Sequence, residues 1–392
     1  MRMNRTSVKP ATRHRLIAGA ALAASALLVA ACGSTAVSPS AGDAPTAGIP
    51  LATSEGGTGL PGWAVVEMGT SSRDYNNFWE LFVRPAGSGH WKLATPLGVA
   101  SNGGLAITST GLGLVAGFQP SQDLRFSPLA TATSSAADWS QASAPVSPGL
   151  ASVPDALAAG PAGEVLALTK TGEVLLGTHD GGTWSRLTTL RSIASSAAGR
   201  ACRLTALTAV AFTAAGTVLA GGTCARSGTS GIFMLGQGSP TAIVLPLPAG
   251  PVTVLGLARE AAGRTMALLM LGTGRATTVV AAWLTNTGAG TVSPTVATAG
   301  RAPRSVAMWS NGSAGLVLAN GRAESIAGPG AGWHVLPQLP RNSATLAVGP
   351  SGQIEALTAA GNSFGVWQLA ASGDEWTQVQ HVNVTVPYGS SS

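Results

Sequence analysis

From residue 61 onward the chain repeats at a spacing of roughly 45–50 residues, and a repeat of that length restricts the fold more than anything else in the sequence. Residues 157–184 read LAAGPAGEVLALTKTGEVLLGTHDGGTW, and residues 346–376 read LAVGPSGQIEALTAAGNSFGVWQLAASGDEW. Each passes from an apolar run through a Gly turn into a second run, through a Gly-containing break into a third, and by a tight turn to a Trp. Short runs bounded by such turns are strands, and strands at regular spacing make an all-β chain. Four strands per repeat at this period predict the blades of a β-propeller.

The remaining copies follow the same plan. First strands are expected at Leu105–Ser109, Asp155–Ala159, Ala206–Thr213, Val252–Ala258, Arg304–Ser310 and Ala344–Val348. Second strands are expected at Trp63–Gly69, Leu112–Phe118, Glu164–Thr169, Thr217–Gly222, Thr265–Leu271, Gly315–Ala319 and Gln353–Thr358. Trp91, Trp139, Trp184, Trp333 and Trp376 open fourth strands, with Ile243 and Val292 in that place in two copies. A large ring at one position of each unit suits a flat packing surface between blades. Seven second strands against six first strands leave the opening unit without an inner strand. Val382-Asn383-Val384-Thr385-Val386 alternates at period two and is expected to supply it, closing the ring and removing the open sheet edge. The expectation is one seven-bladed propeller over residues 61–387, closed by the C-terminal strand, with 388–392 as a disordered tail.

Charged residues make up only 10% of the chain, far below the usual quarter. Helical bundles and coiled coils need many Glu, Lys and Arg on their wet faces, and charge-driven disorder needs them too, so these classes are excluded. The net charge of +6 resides mostly at one end. Residues 1–31 hold Arg2, Arg5, Lys9, Arg13 and Arg15 and no acid, which leaves 17 of the 22 basic residues against 16 acidic ones. A nearly neutral remainder gives no footing for nucleic-acid binding.

After the basic segment, Leu16–Ala31 is an uncharged run of 16 residues, short for a membrane span, which needs about 20, and fitting for a secretory signal. Leu28-Val29-Ala30-Ala31-Cys32-Gly33-Ser34 follows at once. This resembles the lipobox of bacterial lipoproteins: an aliphatic residue, two small ones, then Cys. The resemblance implies cleavage before Cys32, a diacylglycerol on its thiol, and anchoring to the outer face of the bacterial cytoplasmic membrane by more than one acyl chain. An ordinary signal peptide with an incidental Cys, or an uncleaved anchor, is the alternative. Residues 1–31 are thus read as the signal, and 32–60, rich in Ser, Thr, Ala, Pro and Gly, as a lipidated Cys and flexible tether.

Cys202 and Cys224 lack any CxxC or Cys/His neighbourhood, which argues against zinc. Outside the cytoplasm they are expected to pair as a disulfide across a hairpin, the alternative being two buried thiols.

Thr178-His179-Asp180-Gly181-Gly182-Thr183-Trp184 resembles an Asp-box of sialidase-type (BNR) propellers, one residue short between Gly and Thr. Weaker echoes are Ser135-Ala136-Ala137-Asp138-Trp139 and Ser372-Gly373-Asp374-Glu375-Trp376. Gly62-Trp63-Ala64-Val65 is similar to blades of the photosystem II stability/assembly-factor-like group. The resemblance covers 61–386 at the level of fold. It implies that Asp180 is a turn residue, since a short acid and glycines hold a tight hairpin. Sialidase chemistry needs a Tyr nucleophile beside a Glu, an Asp acid and three Arg on a carboxylate; Tyr75 and Tyr388 are the only tyrosines. Ser-hydrolase, P-loop and His-pair motifs are also missing, so no catalytic residue, metal or cofactor is assigned. His90, His179, His334 and His381 sit beside turns and read as surface residues.

Two functions compete. One is a membrane-tethered binding or scaffold propeller that docks a protein or an anionic envelope polymer. The other is a sialidase-like glycoside hydrolase or lyase with an unrecognised site. Sorting charges by the expected strands favours the first. Connections between second and third strands, and from fourth strands to the next first, gather 12 of the 17 basic residues outside the leader. Among these, Arg73, Arg125, Arg226, Arg275, Arg304 and Arg322, with Tyr75 as an aromatic contact, form the expected ligand-binding face. Arg forks bind carboxylate and phosphate bidentately.

Overall fold

Apolar runs cut by Gly turns fold into antiparallel strands in almost every described segment. The structure, a computed structural model, describes residues 62–69, 77–85, 87–93, 105–110, 113–118, 127–133, 146–150, 154–178, 183–226, 228–288 and 290–384. The leader, Cys32 and the tether lie outside these, as do Arg73, Tyr75, Arg125, Trp139 and the Asp180 turn. No helix among the described residues is long and apolar enough to cross a membrane.

The first sheet holds β1 (Gly62–Gly69), β2 (Asn77–Arg84) and β3 (Lys92–Leu93). The second holds β4 (Leu105–Thr110), β5 (Gly113–Phe118), β6 (Ser127–Thr133) and β7 (Val146–Leu150). The third holds β8 (Ala156–Ala159), β9 (Val165–Leu168), β10 (Glu173–Thr178) and β11 (Thr183–Thr189). Two short helices follow, α1 (Leu190–Ser195) and α2 (Ala197–Cys202), capped by the Thr189 and Ser196 hydroxyls.

A nine-stranded sheet then contains β12 (Leu204–Phe212), β13 (Val218–Cys224), β14 (Ile232–Leu235) and β15 (Thr241–Ala242), followed by β16 (Val252–Arg259), β17 (Thr265–Leu271), β18 (Thr278–Leu284), β19 (Gly290–Val292) and β20 (Val296–Ala297). It is two successive repeats fused where Thr223 pairs with Thr253 and Cys224 with Val252. The last two sheets are β21 (Ser305–Met308), β22 (Ala314–Val317), β23 (Ala323–Ile326) and β24 (His334–Val335), then β25 (Ser343–Val348), β26 (Ile354–Ala360), β27 (Ser363–Leu369) and β28 (Trp376–Asn383). This nearly all-β arrangement of antiparallel sheets is consistent with a β-propeller.

The turn between the first and second strands of a repeat needs a left-handed residue, and Gly163, Gly216, Gly263, Gly312 and Gly352 supply it at φ between 80° and 86°. Among the strands whose burial is described, the fourth strand of a repeat is the least buried. All residues of β9, β21, β22 and β23 are buried, whereas β24 is exposed and β28 largely so. Inner strands are covered on both faces by neighbouring sheets, so they read as continuous apolar runs instead of alternating ones. β8 touches β4 and β12, β16 touches β12 and β21, and β25 touches β21 and β1.

Tryptophans fasten one sheet to the next. Trp333 donates its indole N–H to the Pro294 carbonyl at 3.0 Å, and Trp376 donates to that of Pro337 at 3.4 Å. Trp91 donates to Glu355 Oε2 at 3.0 Å, which joins the first sheet to the last. Beside it, Phe82 stacks on Phe364 with centroids 3.7 Å apart.

The C-terminal segment takes a different place from the one its alternation suggested. Val382 and Asn383 pair with Phe364 and Ser363 of β27, so they complete the outer strand of the last sheet and do not pair with β1. The strand opened by Trp376 simply runs on, and the alternation reflects Val382 and Val384 turning toward the core shared with Phe82 and Phe364. Thr385 and Val386 lie outside the described residues.

Candidate binding site at the arginine-rich end

Consecutive antiparallel strands reverse direction, so connections between second and third strands leave a sheet at the same end as those entering first strands. Arg226, Arg275, Arg304 and Arg322 all stand in such connections and all are exposed. Strand pairing sets them side by side. β13 leads to Arg226 and pairs with the start of β16; that start pairs with the end of β17 at Val252↔Leu271, from which the chain reaches Arg275. Gly300 packs against Gly274 so closely that a Cβ would lie 2.8 Å from its carbonyl oxygen. The chain continues to Arg304, whose amide donates to the Val317 carbonyl at 2.7 Å, at the end of β22. Arg304, Arg322 and Arg341 then line one depression of about 600 Å3.

Compensating charge is sparse. Arg322 pairs with Glu324 at 2.7 Å, while Arg226, Arg275, Arg304 and Arg341 have no ion pair among the described residues. Burial raises the Glu324 carboxyl above its ordinary range, against the attraction and hydrogen bond of Arg322. Burial likewise raises Asp155, against Lys170. Glu173 is tied to Arg186 at 3.2 Å.

Backbone strain collects at the same end. Arg203, Ala299 and Asn342 have φ of 54°, 55° and 60°, and each precedes a first strand. Such conformations cost roughly 1–2 kcal/mol for an L-residue, least for Asn, and persist where surroundings enforce them. The Asn342 carbonyl accepts from the Ala359 amide at 3.0 Å. Arg203 follows Cys202, which is joined to Cys224 by a disulfide with a Cα–Cα distance of 5.1 Å.

A second depression of about 550 Å3 shares Gln338, Pro340, Arg341 and Asn342 with the first. Its far side is the face of β27 and β28 that carries Trp367, Trp376, Gln378 and His381. Gln378 and His381 are three residues apart and would fall on opposite faces of a regular strand. Trp367 pairs with Gln378 and Val366 with Gln380, so Val379 is an extra, bulged residue that brings both onto one face. Gly365 makes room between three lining groups. A Cβ there would stand 2.6 Å from Thr358 Oγ1 and 3.3 Å from both Gln378 Nε2 and Trp367 Nε1. His381 meets Ser363 at 3.4 Å and Asn383 at 3.1 Å.

Of the residues expected at the face, the structure therefore gathers Arg304 and Arg322 in one depression and sets Arg226 and Arg275 along the same end. Trp367, Gln378 and Asn342 were not singled out from the sequence. The repeat alignment held one signal: Trp367 lies in a third strand, where no other repeat has Trp except at Trp79 and Trp283. The bulge that brings His381 onto the face of Gln378 leaves no such mark.

No protein-family model matches the chain, and no curated protein is recognisably similar to it. Among solved structures, a protein from Lactobacillus plantarum aligns with TM-score 0.52 at 12% identity, over 84% of this chain and 96% of that one. The family GH74 xyloglucanase of Xanthomonas campestris aligns with TM-score 0.50 at 13% identity, over 86% of this chain and 55% of the enzyme, so the chain matches about half of that protein. YCF48 from Cyanidioschyzon merolae aligns with TM-score 0.48 at 15% identity, over 80% and 93%. At these identities the first two alignments show likeness of fold alone, which is consistent with a β-propeller.

Proposed function

We propose that this chain is an extracytoplasmic lipoprotein whose seven-bladed propeller, tethered to the cytoplasmic membrane through Cys32, binds an anionic envelope polymer or an acidic protein surface. Reading the nine-stranded sheet as two repeats supports a count of seven blades. Closure is supported by Trp91, which fastens the first sheet to the last much as Trp333 and Trp376 fasten consecutive sheets.

The observation that carries the binding role is the convergence of Arg304, Arg322 and Arg341 on one depression with a single ion pair among them. Exposed guanidinium groups without local carboxylates keep their forks free for a bidentate acceptor. Reversing Arg226, Arg275 and Arg304 to Glu tests it. With Cys32→Ser in every chain, so that no lipid contributes, co-sedimentation with purified cell envelopes should be salt-sensitive for the parent and lost in the triple variant. Arg259→Glu, at the opposite end, should bind as the parent does. Equal sedimentation of parent and triple variant refutes the reading.

A further inference from the structure

We propose that the two adjoining depressions form one trough for an acidic polysaccharide, a chain of pyranose rings bearing carboxylates; this rests on the anionic-partner reading above and gives that partner its chemistry. The depressions, about 550 and 600 Å3, meet along the wall from Gln338 to Asn342, so the site is extended and suits a chain more than a compact ion.

Its two halves differ in a way that a sugar acid explains. One half holds the half-buried indoles of Trp367 and Trp376. The C–H faces of a pyranose are apolar and stack on such rings, while its rim of hydroxyls both donates and accepts. Side-chain amides do both as well, and Gln338, Asn342 and Gln378 supply three of them. Trp367 Nε1, over the space that Gly365 leaves, is a donor with no partner among the described residues. Gln378 stands directly across from Trp367 on that same face of the sheet. The other half holds Arg304 and Arg322, with Arg341 between the two. Phosphate headgroups would use the arginines but leave two indoles and three amides without a role. An acidic peptide would match the arginines but presents no flat C–H face to the indoles.

The experiment is calorimetric titration of the full chain in detergent with uronate tetrasaccharides (galacturonate, mannuronate and hyaluronan types), their methyl esters, and polyglutamate. At least one uronate should bind and shift tryptophan emission, with its ester weaker by about tenfold or more, as loss of a charge-assisted contact implies. Arg341→Ala should weaken the acid by a similar factor and spare the ester, whereas Gln378→Ala should weaken both; unchanged thermal midpoints keep these effects local. Polyglutamate binding as tightly as every uronate, unchanged affinity in Gln378→Ala, or no uronate binding at all would each overturn the inference. If envelope sedimentation stays arginine-dependent in that event, only the partner's chemistry is wrong; if it fails too, the binding reading falls with it.

Discussion

Arg84 and Glu355, 271 residues apart, form an ion pair at 3.1 Å with side chains 3% and 0% exposed. Both side chains have further partners. The Arg84 guanidinium lies 5.0 Å over the Trp91 ring and also donates to the Val348 carbonyl. Glu355 accepts from Trp91 Nε1 at 3.0 Å and from Gln368 at 3.3 Å. Burial lowers the Arg84 pKa, and Glu355 pulls it back up. Breaking a satisfied buried pair by removing one member typically costs about 3–5 kcal/mol, because a charge is left uncompensated. Glu355→Ala should therefore lower unfolding free energy by about that much in denaturant titration. Arg84→Met with Glu355→Leu should recover most of the loss. A Glu355→Ala chain as stable as the parent would show that the pair does not hold the first sheet to the last.

The repeat was legible because Gly163, Gly216, Gly263, Gly312 and Gly352 mark one turn that the backbone cannot make otherwise. Inner strands announced themselves as uninterrupted apolar runs, such as Met266–Leu269, every residue of which is buried. The C-terminal strand misled for a physical reason. Alternation at Val382 and Val384 specifies one buried face but says nothing about which edge hydrogen-bonds, and β27 offered the nearer edge. The arginines could be assigned to one end from topology alone. The trough could not, since it depends on a bulge at Val379 and on two loops meeting from different sheets.

The Cys202–Cys224 disulfide spans 22 residues and pins the segment that holds Arg203 and Arg226. Closing a loop of this size stabilises by roughly 3 kcal/mol in the chain-entropy model. Unreduced peptide mapping should recover the two cysteines as one linked pair, and replacing both by Ser should cost stability of that order. Complete alkylation of both thiols in the native protein would contradict the pairing.

The proposed anchoring through Cys32 makes a separate demand. Cys32→Ser should abolish metabolic labelling with fatty acid and leave the chain either unprocessed or released. A processed serine variant that still fractionates with membranes would rule out the thiol as the anchor.

The two raised carboxyls set a pH dependence. Asp155 and Glu324 bind their protons more tightly folded than unfolded, chiefly because burial disfavours their charge. Their contribution is thus most favourable below the unfolded carboxylate range, about pH 4, and is lost as pH rises through the higher folded values. Asp155→Asn with Glu324→Gln should therefore gain relative to the parent as pH rises across that interval. Parallel stability curves for parent and double variant would refute this.

Truncation separates the two places the C-terminal segment could take. The Val384 side chain is 4% exposed, and its amide donates to the Asn362 carbonyl at 2.7 Å. Val384 belongs to the core cluster that includes Ala64, Phe82 and Phe364, where the last sheet meets the first, and the partly buried Val382 packs against it. Removing 381–392 deletes both valines and the end of the β28 ladder. A fully buried valine is worth about 1.5–3 kcal/mol and Val382 adds a part of that, so the thermal midpoint should fall clearly, and the loss should be global because the damaged surface joins the first sheet to the last. Removing only 388–392 leaves all of these contacts and should leave the midpoint where it was. A 381–392 deletion that melts with the parent would mean that this junction contributes little, while a large loss on removing 388–392 alone would show that pairing beyond Val384 closes the fold.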